Sequence, residues 1–247
     1  MLSKTHTKYI QSLLHKKFRD ELGLFVAEGP KVVADLLANK KFVCKEIIAL
    51  EDWLQEHGSL VSKTGAVITE VKDFELNKIS LLTTAHSVLA VFEKRKPDHK
   101  IQTALRITLA LDTIQDPGNL GTIIRIADWF GIADIVCSPG CADMYNPKVV
   151  QSTMGSLGRV NVIYTDLVEW LGKNKQTNIY SASLEGKDVN KIGKLKEGII
   201  IIGNEAHGVS DEVMELVNEK ITIPRIGKAE SLNAAVATGI IISQLKA

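Results

Sequence analysis

Three short segments of the sequence bring acidic, amide, hydroxyl and guanidinium side chains together beside glycine or proline. The first reads DPGNLGTIIRIA and holds Asn119 and Arg125. The second reads GNEAHG and holds Glu205, and the third reads IPRIGKAESLNAAVA and holds Ser231 and Asn233. Side chains of these types can bind an anion, transfer a proton or orient a hydroxyl group, so these residues are the candidates for chemistry.

Each of the three segments is tied to an apolar run that predicts a strand. The runs read RITLALDTI, EGIIII and KITIPRI and are rich in β-branched residues, which favour strands. Ligands of open parallel sheets bind beyond the carboxyl ends of the strands. We therefore expect the three segments to meet at one edge of a sheet and to form one site.

Ordinary structural roles explain part of this pattern, and the sequence leaves them open. Asn119 could cap the helix that follows its turn, and an amide or hydroxyl of the third segment could cap the last helix. Arg125 could form a structural ion pair with Asp112 or Asp128, since an arginine among isoleucines is rarely without a partner. Glu205 could belong to an ordinary turn. These roles do not explain why polar residues recur at three strand ends.

Other classes of enzyme are disfavoured. His207 with Ser231 and Glu205 would suggest a hydrolase triad, but no nucleophile-elbow pattern surrounds any serine. The sequence contains no GxxxxGK[ST] motif, and no GxGxxG motif follows the first strand of either predicted α/β unit. A P-loop and a dinucleotide-type site are therefore unsupported.

Basic residues are concentrated near the amino terminus, although the net charge of the 247-residue chain is only +1. Residues 1–45 contain nine lysines and arginines against four acids. This local excess could bind phosphate groups, or it could be an ordinary solvated helix face.

Cysteine use and hydropathy indicate the cellular environment. Cys44, Cys137 and Cys141 form no CxxC motif and no even-numbered framework, which argues against a secreted disulfide scaffold and against a zinc site. The N-terminus has no apolar signal core, and no stretch approaches the roughly 18 apolar residues that a membrane span needs. We expect a cytoplasmic protein with no metal and no membrane contact.

The order of the predicted elements indicates two α/β domains. Strands and helices form a first domain over residues 1–93, and the charged, proline-containing stretch 94–104 is predicted to be a linker. Apolar strands alternate with helices over residues 105–247, which predicts a parallel sheet covered on both faces. At the amino terminus, helical spacing over residues 5–22 would put four apolar side chains on one face: Tyr9, Leu13, Leu14 and Phe18.

Taken in this order, the three segments resemble the motifs of SpoU (TrmH-type) RNA ribose 2′-O-methyltransferases, a family of the SPOUT superfamily. That family has DPxNxGxxxRxA, then Gly-Asn-Glu before a small residue and a glycine, then Ile-Pro, a short loop and Ser-Leu-Asn. The resemblance covers about residues 105–247. The stretch KKFRDELGLFVAEGPKVV looks like the RNA-binding domain, similar to a small ribosomal protein, that precedes many of these catalytic domains.

The resemblance implies an α/β fold with two domains. The first is a small α/β domain similar to a ribosomal protein, and the second is a parallel-sheet catalytic domain with a C-terminal trefoil knot. It implies S-adenosylmethionine as the cofactor, bound in the knot. Members of the family are generally homodimers, so we expect a homodimer. The matching cofactor positions are Leu184, Ile202, Gly203, Ile223 and Leu232.

The family's catalytic positions match the candidates of the three segments: Asn119, Arg125, Glu205, Ser231 and Asn233. A guanidinium, with a pKa above about 12, is a poor base. We therefore expect Arg125 to bind a phosphate and to stabilise developing alkoxide charge. Glu205 would polarise Arg125 or accept the proton through water, and the remaining three would orient Arg125 and the ribose.

The expected substrate is RNA, with ribosomal RNA favoured over transfer RNA because a separate domain would select it. Arg19 and Lys31 are the candidates for phosphate contacts in that domain, and Glu28 would hold an arginine in place. The alternative is an RNA-binding relative that has lost catalysis, against which the intact candidate residues argue. The sequence departs from the commonest family pattern at several positions, including Arg225, and we expect these departures to affect the RNA specificity more than the activity.

Overall fold

The chain divides into two compact units. The computed structural model describes residues 2–82, 85–96, 98 and 100–246. The first unit combines the residues up to 96 with the segment 143–159. The second unit combines residues 97–142 with residues 160–247. The segment 143–159 therefore interrupts the second unit in sequence but packs in the first.

The first unit is built on a mixed, four-stranded sheet. Its elements up to residue 93 are α1 (Lys4–Ser12), α2 (Lys16–Leu22), β1 (Leu24–Glu28), α3 (Pro30–Asn39), β2 (Cys44–Ala49), α4 (Glu51–Glu56), α5 (Gly58–Val61), β3 (Val67–Glu70), α6 (Asp73–Ile79) and β4 (Val88–Glu93). The strand order is β1-β4-β2-β3, with β4 antiparallel to β1 and β2, and β2 parallel to β3. The central strand β4 is buried, whereas the edge strand β3 is mostly exposed.

The single N-terminal helix predicted over residues 5–22 is wrong, because the structure has α1 and α2 instead. His15 is extended and ends the helical path. Leu13 is buried, but Leu14 and Phe18 are exposed, so the predicted apolar face does not form. Arg19 is the buried residue of α2, and it donates to the carbonyls of the intervening turn. The hydrogen bonds of the Arg19 side chain therefore stabilise the turn between α1 and α2.

The second unit contains a six-stranded sheet in which all pairs are parallel. The elements after residue 93 are β5 (Ile107–Leu111), α7 (Pro117–Trp129), β6 (Asp134–Cys137), α8 (Pro147–Ser152, in the first unit), β7 (Asn161–Tyr164), α9 (Leu167–Gly172), β8 (Ile179–Asp188), β9 (Gly198–Ile202), α10 (Asp211–Met214), β10 (Glu219–Thr222) and α11 (Ala234–Leu245). The strand order is β10-β8-β9-β5-β6-β7. The central strands β5 and β9 are buried throughout. The prediction of an α/β fold with a parallel-sheet domain is confirmed.

One irregularity in this sheet shapes the region around its carboxyl edge. β10 pairs first with Tyr180 and Ser181 of β8 and then with Lys187 and Asp188. The intervening residues 182–186 have no register partner in β10, although the Thr222 hydroxyl donates to the carbonyl of Leu184 at 3.1 Å. Beyond β10 the chain continues into α11, which packs against α7.

Candidate functional site

A cavity of about 770 Å³ opens in the second unit where β9 and β10 end. Its volume is in the usual range for a small-molecule site. The residues expected to bind a cofactor all line it: Leu184, Ile202, Gly203, Ile223 and Leu232. Leu184 is 70% exposed and Ile226, also in the lining, is fully exposed. A ligand that covered these apolar side chains would gain from their burial.

The loop between β9 and α10 is closed by its own backbone and by Asn204. The N–H groups of Asn204 and Gly208 each donate to the other's carbonyl at 2.8 Å. The Asn204 side chain donates to the carbonyl of Thr113 at 2.9 Å and accepts from two backbone N–H groups of the loop. A Cβ on Gly203 would lie 2.3 Å from the carbonyl carbon of Gly208, so the closed loop requires glycine there. Sequence reasoning missed Asn204, although the residue lies inside the second motif.

Hydrogen bonds join side chains from all three motifs. Nδ2 of Asn119 donates to Oε1 of Glu205, and Nδ2 of Asn233 donates to Oδ1 of Asn119 at 2.8 Å. A carboxylate can only accept, so this orientation of the Asn119 amide is the one that satisfies both partners. Asn119 does not cap α7, because Asp116 accepts from the Asn119 N–H at 2.8 Å and is the cap. The Asn119 side chain is thereby left to connect the other two motifs.

Arg125 lies on α7 and is exposed. Within the described ranges its guanidinium has no hydrogen bond or ion pair, so neither Asp112 nor Asp128 holds it. The expected contact with Glu205 is also absent there, since that carboxylate binds Asn119 instead. An exposed guanidinium on the helix that carries Asn119 is available to a ligand.

Asp112, at the end of β5, anchors the far end of the same loop. It is 5% exposed, and its Oδ2 accepts from the N–H and the hydroxyl of Ser210 at 2.8 and 2.7 Å. Asn204 and Ser210 therefore fix the two ends of the loop that carries Glu205. Sequence reasoning considered Asp112 only as a partner for an arginine, and missed this role.

Asn233 caps α11 and also belongs to the site. Its Oδ1 accepts from the N–H groups of Ala235 and Val236 at 3.0 and 3.2 Å, while its Nδ2 binds Asn119. Helix capping and a place in the site, which the sequence left open as alternatives, are therefore both roles of the Asn233 side chain. Ser231 lines the cavity, and its hydroxyl makes no hydrogen bond to any residue that the structure describes.

A hydrolase triad is not assembled. His207 lines the same cavity as Ser231 and Glu205. In the described part of the chain, no hydrogen bond joins the His207 ring to either side chain. The base and the nucleophile of a triad must be within hydrogen-bonding reach.

Arg19 is a structural residue, and the prediction that it contacts phosphate is wrong. Its side chain is 2% exposed, and Nη2 lies 2.6 Å from Oδ2 of Asp143. Nε donates to the same oxygen, and Nη1 donates to two carbonyls of the turn before α2. A guanidinium with these partners, and with no access to solvent, cannot reach RNA.

Two other charged residues of the first unit are placed differently. Lys31 is exposed on α3, with its Nζ 3.1 Å from Oδ2 of Asp35. Glu28 is buried and accepts from the hydroxyl of Ser80 and the N–H of Leu81. The expectation that Glu28 holds an arginine is wrong, because it fixes the turn after α6.

No group of three or more His, Cys, Asp or Glu side chains within the described residues is arranged to hold a metal ion. Cys44, Cys137 and Cys141 are buried free thiols, and burial raises the pKa of Cys44 to about 12. Within the described ranges, no helix has both the length and the apolar character needed to cross a membrane.

Comparison with protein families gives two matches. The sequence model of the SpoU rRNA Methylase family matches residues 106–243, and that of the MRM3-like substrate binding domain matches residues 4–90. The chain is also similar to the 23S rRNA (guanosine(2553)-2′-O)-methyltransferase RlmP of Bacillus subtilis. The two are 31% identical over 234 residues, which cover 94% of this chain and 92% of that protein.

Solved structures give the same result. A protein from Porphyromonas gingivalis, described as an RNA methyltransferase of the TrmH family, is 33% identical with a TM-score of 0.86, over 100% of this chain and 98% of that one. The AdoMet-bound rRNA methyltransferase of Sinorhizobium meliloti is 30% identical with a TM-score of 0.88, over 99% of this chain and 95% of that one. The chain therefore belongs to the SpoU rRNA methylase family.

Proposed function

We propose that this protein transfers a methyl group from S-adenosylmethionine to a ribose 2′-hydroxyl of ribosomal RNA. The observation that carries the proposal is the hydrogen-bonded set Glu205–Asn119–Asn233, whose carboxylate lines the cavity. The similarity to a Bacillus subtilis enzyme named for 2′-O methylation of 23S rRNA supports the reaction and the substrate. Transfer RNA is the alternative substrate, and a ribosomal substrate would favour a cytoplasmic location.

The cavity fits S-adenosylmethionine on chemical grounds. Leu184, Ile223 and Leu232 give it apolar walls that suit a purine ring. The backbone of residues 182–185 and of Gly203 lines the cavity and would supply N–H and C=O groups to polar edges of the ligand. The carbonyls of Ala182 and Leu184 and the N–H of Glu185 already bind side chains. The similar rRNA methyltransferase from Sinorhizobium meliloti, whose structure contains AdoMet, supports this assignment. When bound, the cofactor supplies an electrophilic methyl group.

Glu205 is the proposed proton acceptor. Oε1 is held by Asn119, and Oε2 has no partner among the described residues. A carboxylate fixed in this way can accept the proton of the 2′-hydroxyl, either directly or through a water molecule. The loop anchors at Asn204 and Ser210 keep the carboxylate in place, which is the positioning that such a transfer needs.

Arg125 is the proposed phosphate ligand. A guanidinium does not act as a base at neutral pH, and within the described chain Arg125 has no partner to neutralise it. It would bind the phosphate beside the acceptor ribose and stabilise the negative charge that develops on the oxygen. Ser231, with its hydroxyl in the cavity lining, would orient the ribose.

We further propose that the C-terminal segment forms a trefoil knot and that the protein is a homodimer. β10 lies beside β8 at the edge of the sheet and α11 returns to α7, a path compatible with a knot.

The proposed homodimer is supported by exposed apolar side chains. Trp129 on α7 is 84% exposed, and Val236 on α11 is also exposed. A second copy packed on the exposed sides of α7 and α11 would bury these side chains. Sedimentation equilibrium should give a dimer that Trp129→Lys weakens, and a monomeric wild type would contradict the proposal.

Methyl transfer from labelled S-adenosylmethionine to total RNA tests the proposed function. Label should enter ribosomal RNA at one position that resists alkaline cleavage, because 2′-O-methylation removes the nucleophile of that cleavage. Arg125→Ala serves as the matched inactive control. Label in an alkali-sensitive position, or in a base, would contradict ribose methylation. Cofactor binding by calorimetry without transfer to any RNA would favour the catalytically silent alternative.

A further inference from the structure

A group of basic residues in the first unit forms one connected surface around the carboxylate of Asp35. Nζ of Lys31 and Nη1 of Arg159 lie 3.1 and 3.7 Å from the same Oδ2 of Asp35. Nζ of Lys41 donates to the carbonyl of Arg159 at 2.9 Å, and Lys40 precedes it on the exposed end of α3. We call Lys31, Lys40, Lys41 and Arg159 the basic surface. With Asp35 counted, it has a clear excess of positive charge.

The backbone that carries Arg159 is pressed against α3. A Cβ on Gly155 would lie 2.6 Å from Cβ of Asp35, and a Cβ on Gly158 would lie 3.1 Å from Cγ of Asn39. Glycine at Gly155, where φ is +91°, is therefore needed both for the close approach and for the backbone conformation. The two parts of the basic surface are thus held together by packing as well as by ion pairs.

We infer that the basic surface binds the sugar–phosphate backbone of the RNA substrate, an inference that rests on the proposed function. Lys31 and Lys40 are separated by roughly 13 Å along α3 at 1.5 Å per residue, so the surface can meet more than one phosphate. Phe42, the nearest aromatic residue in sequence, is buried and packs on Phe25. None of the four residues of the basic surface is aromatic, and their positive charge favours contact with phosphates over stacking on bases.

Salt-dependent binding of the full-length protein to RNA tests the inference. The probe is a fluorescein-labelled RNA hairpin of about 20 base pairs, followed by anisotropy between roughly 50 and 200 mM KCl. Lys41→Ala and Arg159→Ala should each weaken binding about three- to tenfold and reduce the slope of log K against log salt by about 1. Lys63→Ala removes an exposed lysine elsewhere in the first unit and should match the wild type.

Asp35→Asn gives the opposite result and excludes damage to the fold as an explanation. It removes the carboxylate that pairs with both Lys31 and Arg159 while keeping the shape that packs on Gly155. Binding should tighten about threefold at low salt. Tighter binding cannot result from unfolding.

The inference is overturned if Lys41→Ala and Arg159→Ala behave like Lys63→Ala, or if Asp35→Asn does not tighten binding. These measurements need neither cofactor nor catalysis. If the basic-surface variants bind normally while the wild type methylates RNA, the inference fails and the proposed function stands. If they bind weakly and the wild type transfers no methyl group, the inference stands and the proposed function fails.

Discussion

Asn233→Asp should lower methyl transfer without lowering stability, whereas Asn233→Ala should lower both. The Oδ1 of Asn233 caps α11 and its Nδ2 donates to Asn119. Aspartate keeps the capping oxygen, and its negative charge suits a helix N-terminus. It removes only the donor to Asn119, while alanine removes the donor and the cap.

The size of the effect on catalysis follows from the Asn119 amide. In the wild type, the Nδ2 of Asn119 donates to Glu205 and its Oδ1 accepts from Asn233. In Asn233→Asp the new carboxylate faces this Oδ1, which cannot donate. The new carboxylate and Glu205 therefore compete for the NH2 group of Asn119. Loss of a hydrogen bond that holds a charged group costs about 1.5–3 kcal/mol, which is roughly 10- to 100-fold in rate. Asn233→Ala adds the loss of a helix cap, about 1 kcal/mol of stability, or roughly 2–4 °C in melting temperature for a chain of this size.

Single-turnover methyl transfer at saturating cofactor and RNA, together with thermal unfolding, separates the two roles. Asp166→Ala is the matched control, because Asp166 caps α9 through the N–H of Glu169 and lies outside the cavity lining. It should lower stability as Asn233→Ala does and leave transfer unchanged. Wild-type activity in Asn233→Asp would refute the reasoning and reduce Asn233 to a helix cap.

Three further substitutions test the loop, the phosphate ligand and the buried arginine. Gly203→Ala puts a Cβ 2.3 Å from the carbonyl carbon of Gly208, so calorimetry should detect loss of S-adenosylmethionine binding, and unchanged affinity would contradict the closed loop. Arg125→Ala should leave stability within about 0.5 kcal/mol and lower transfer about 100-fold; near-normal turnover would remove Arg125 from the mechanism. Arg19→Ala leaves Asp143 without its partner and should cost about 3 kcal/mol or more in urea unfolding. A loss below about 1 kcal/mol would contradict the structural role of Arg19.

The meeting of the three motifs could be predicted because it depends on sheet topology. Parallel strands put their carboxyl ends at one edge of the sheet. There Asn119 is hydrogen-bonded to Glu205, which is 86 positions away in sequence, and to Asn233, which is 114 positions away. The partner of each side chain could not be predicted in the same way. Arg125 follows Asn119 by six residues, which is about 240° around a helix at 3.6 residues per turn. The two side chains therefore leave α7 in different directions.

The role of Arg19 could not be predicted from local sequence. Its carboxylate partner Asp143 is 124 positions away, and the intervening sequence gives no signal that joins them. The same applies to the break between α1 and α2, where neither glycine nor proline marks the turn. Composition indicates a basic amino terminus, but only the tertiary structure distinguishes a buried arginine from an exposed one.

The assignment of residues 143–159 to the first unit has a consequence for synthesis of the chain on the ribosome. Domains of many proteins fold one after another as they emerge, amino-terminal domain first. Here the Phe25 ring packs 4.8 Å from that of Tyr145, and Arg19 pairs with Asp143. Those partners emerge only after residues 97–142 have been made. The first unit therefore cannot complete its packing until the first strands of the second unit have left the ribosome. A fragment that stopped at residue 96 would leave the Arg19 guanidinium without its carboxylate, so an expression fragment of this unit should include residues 143–159.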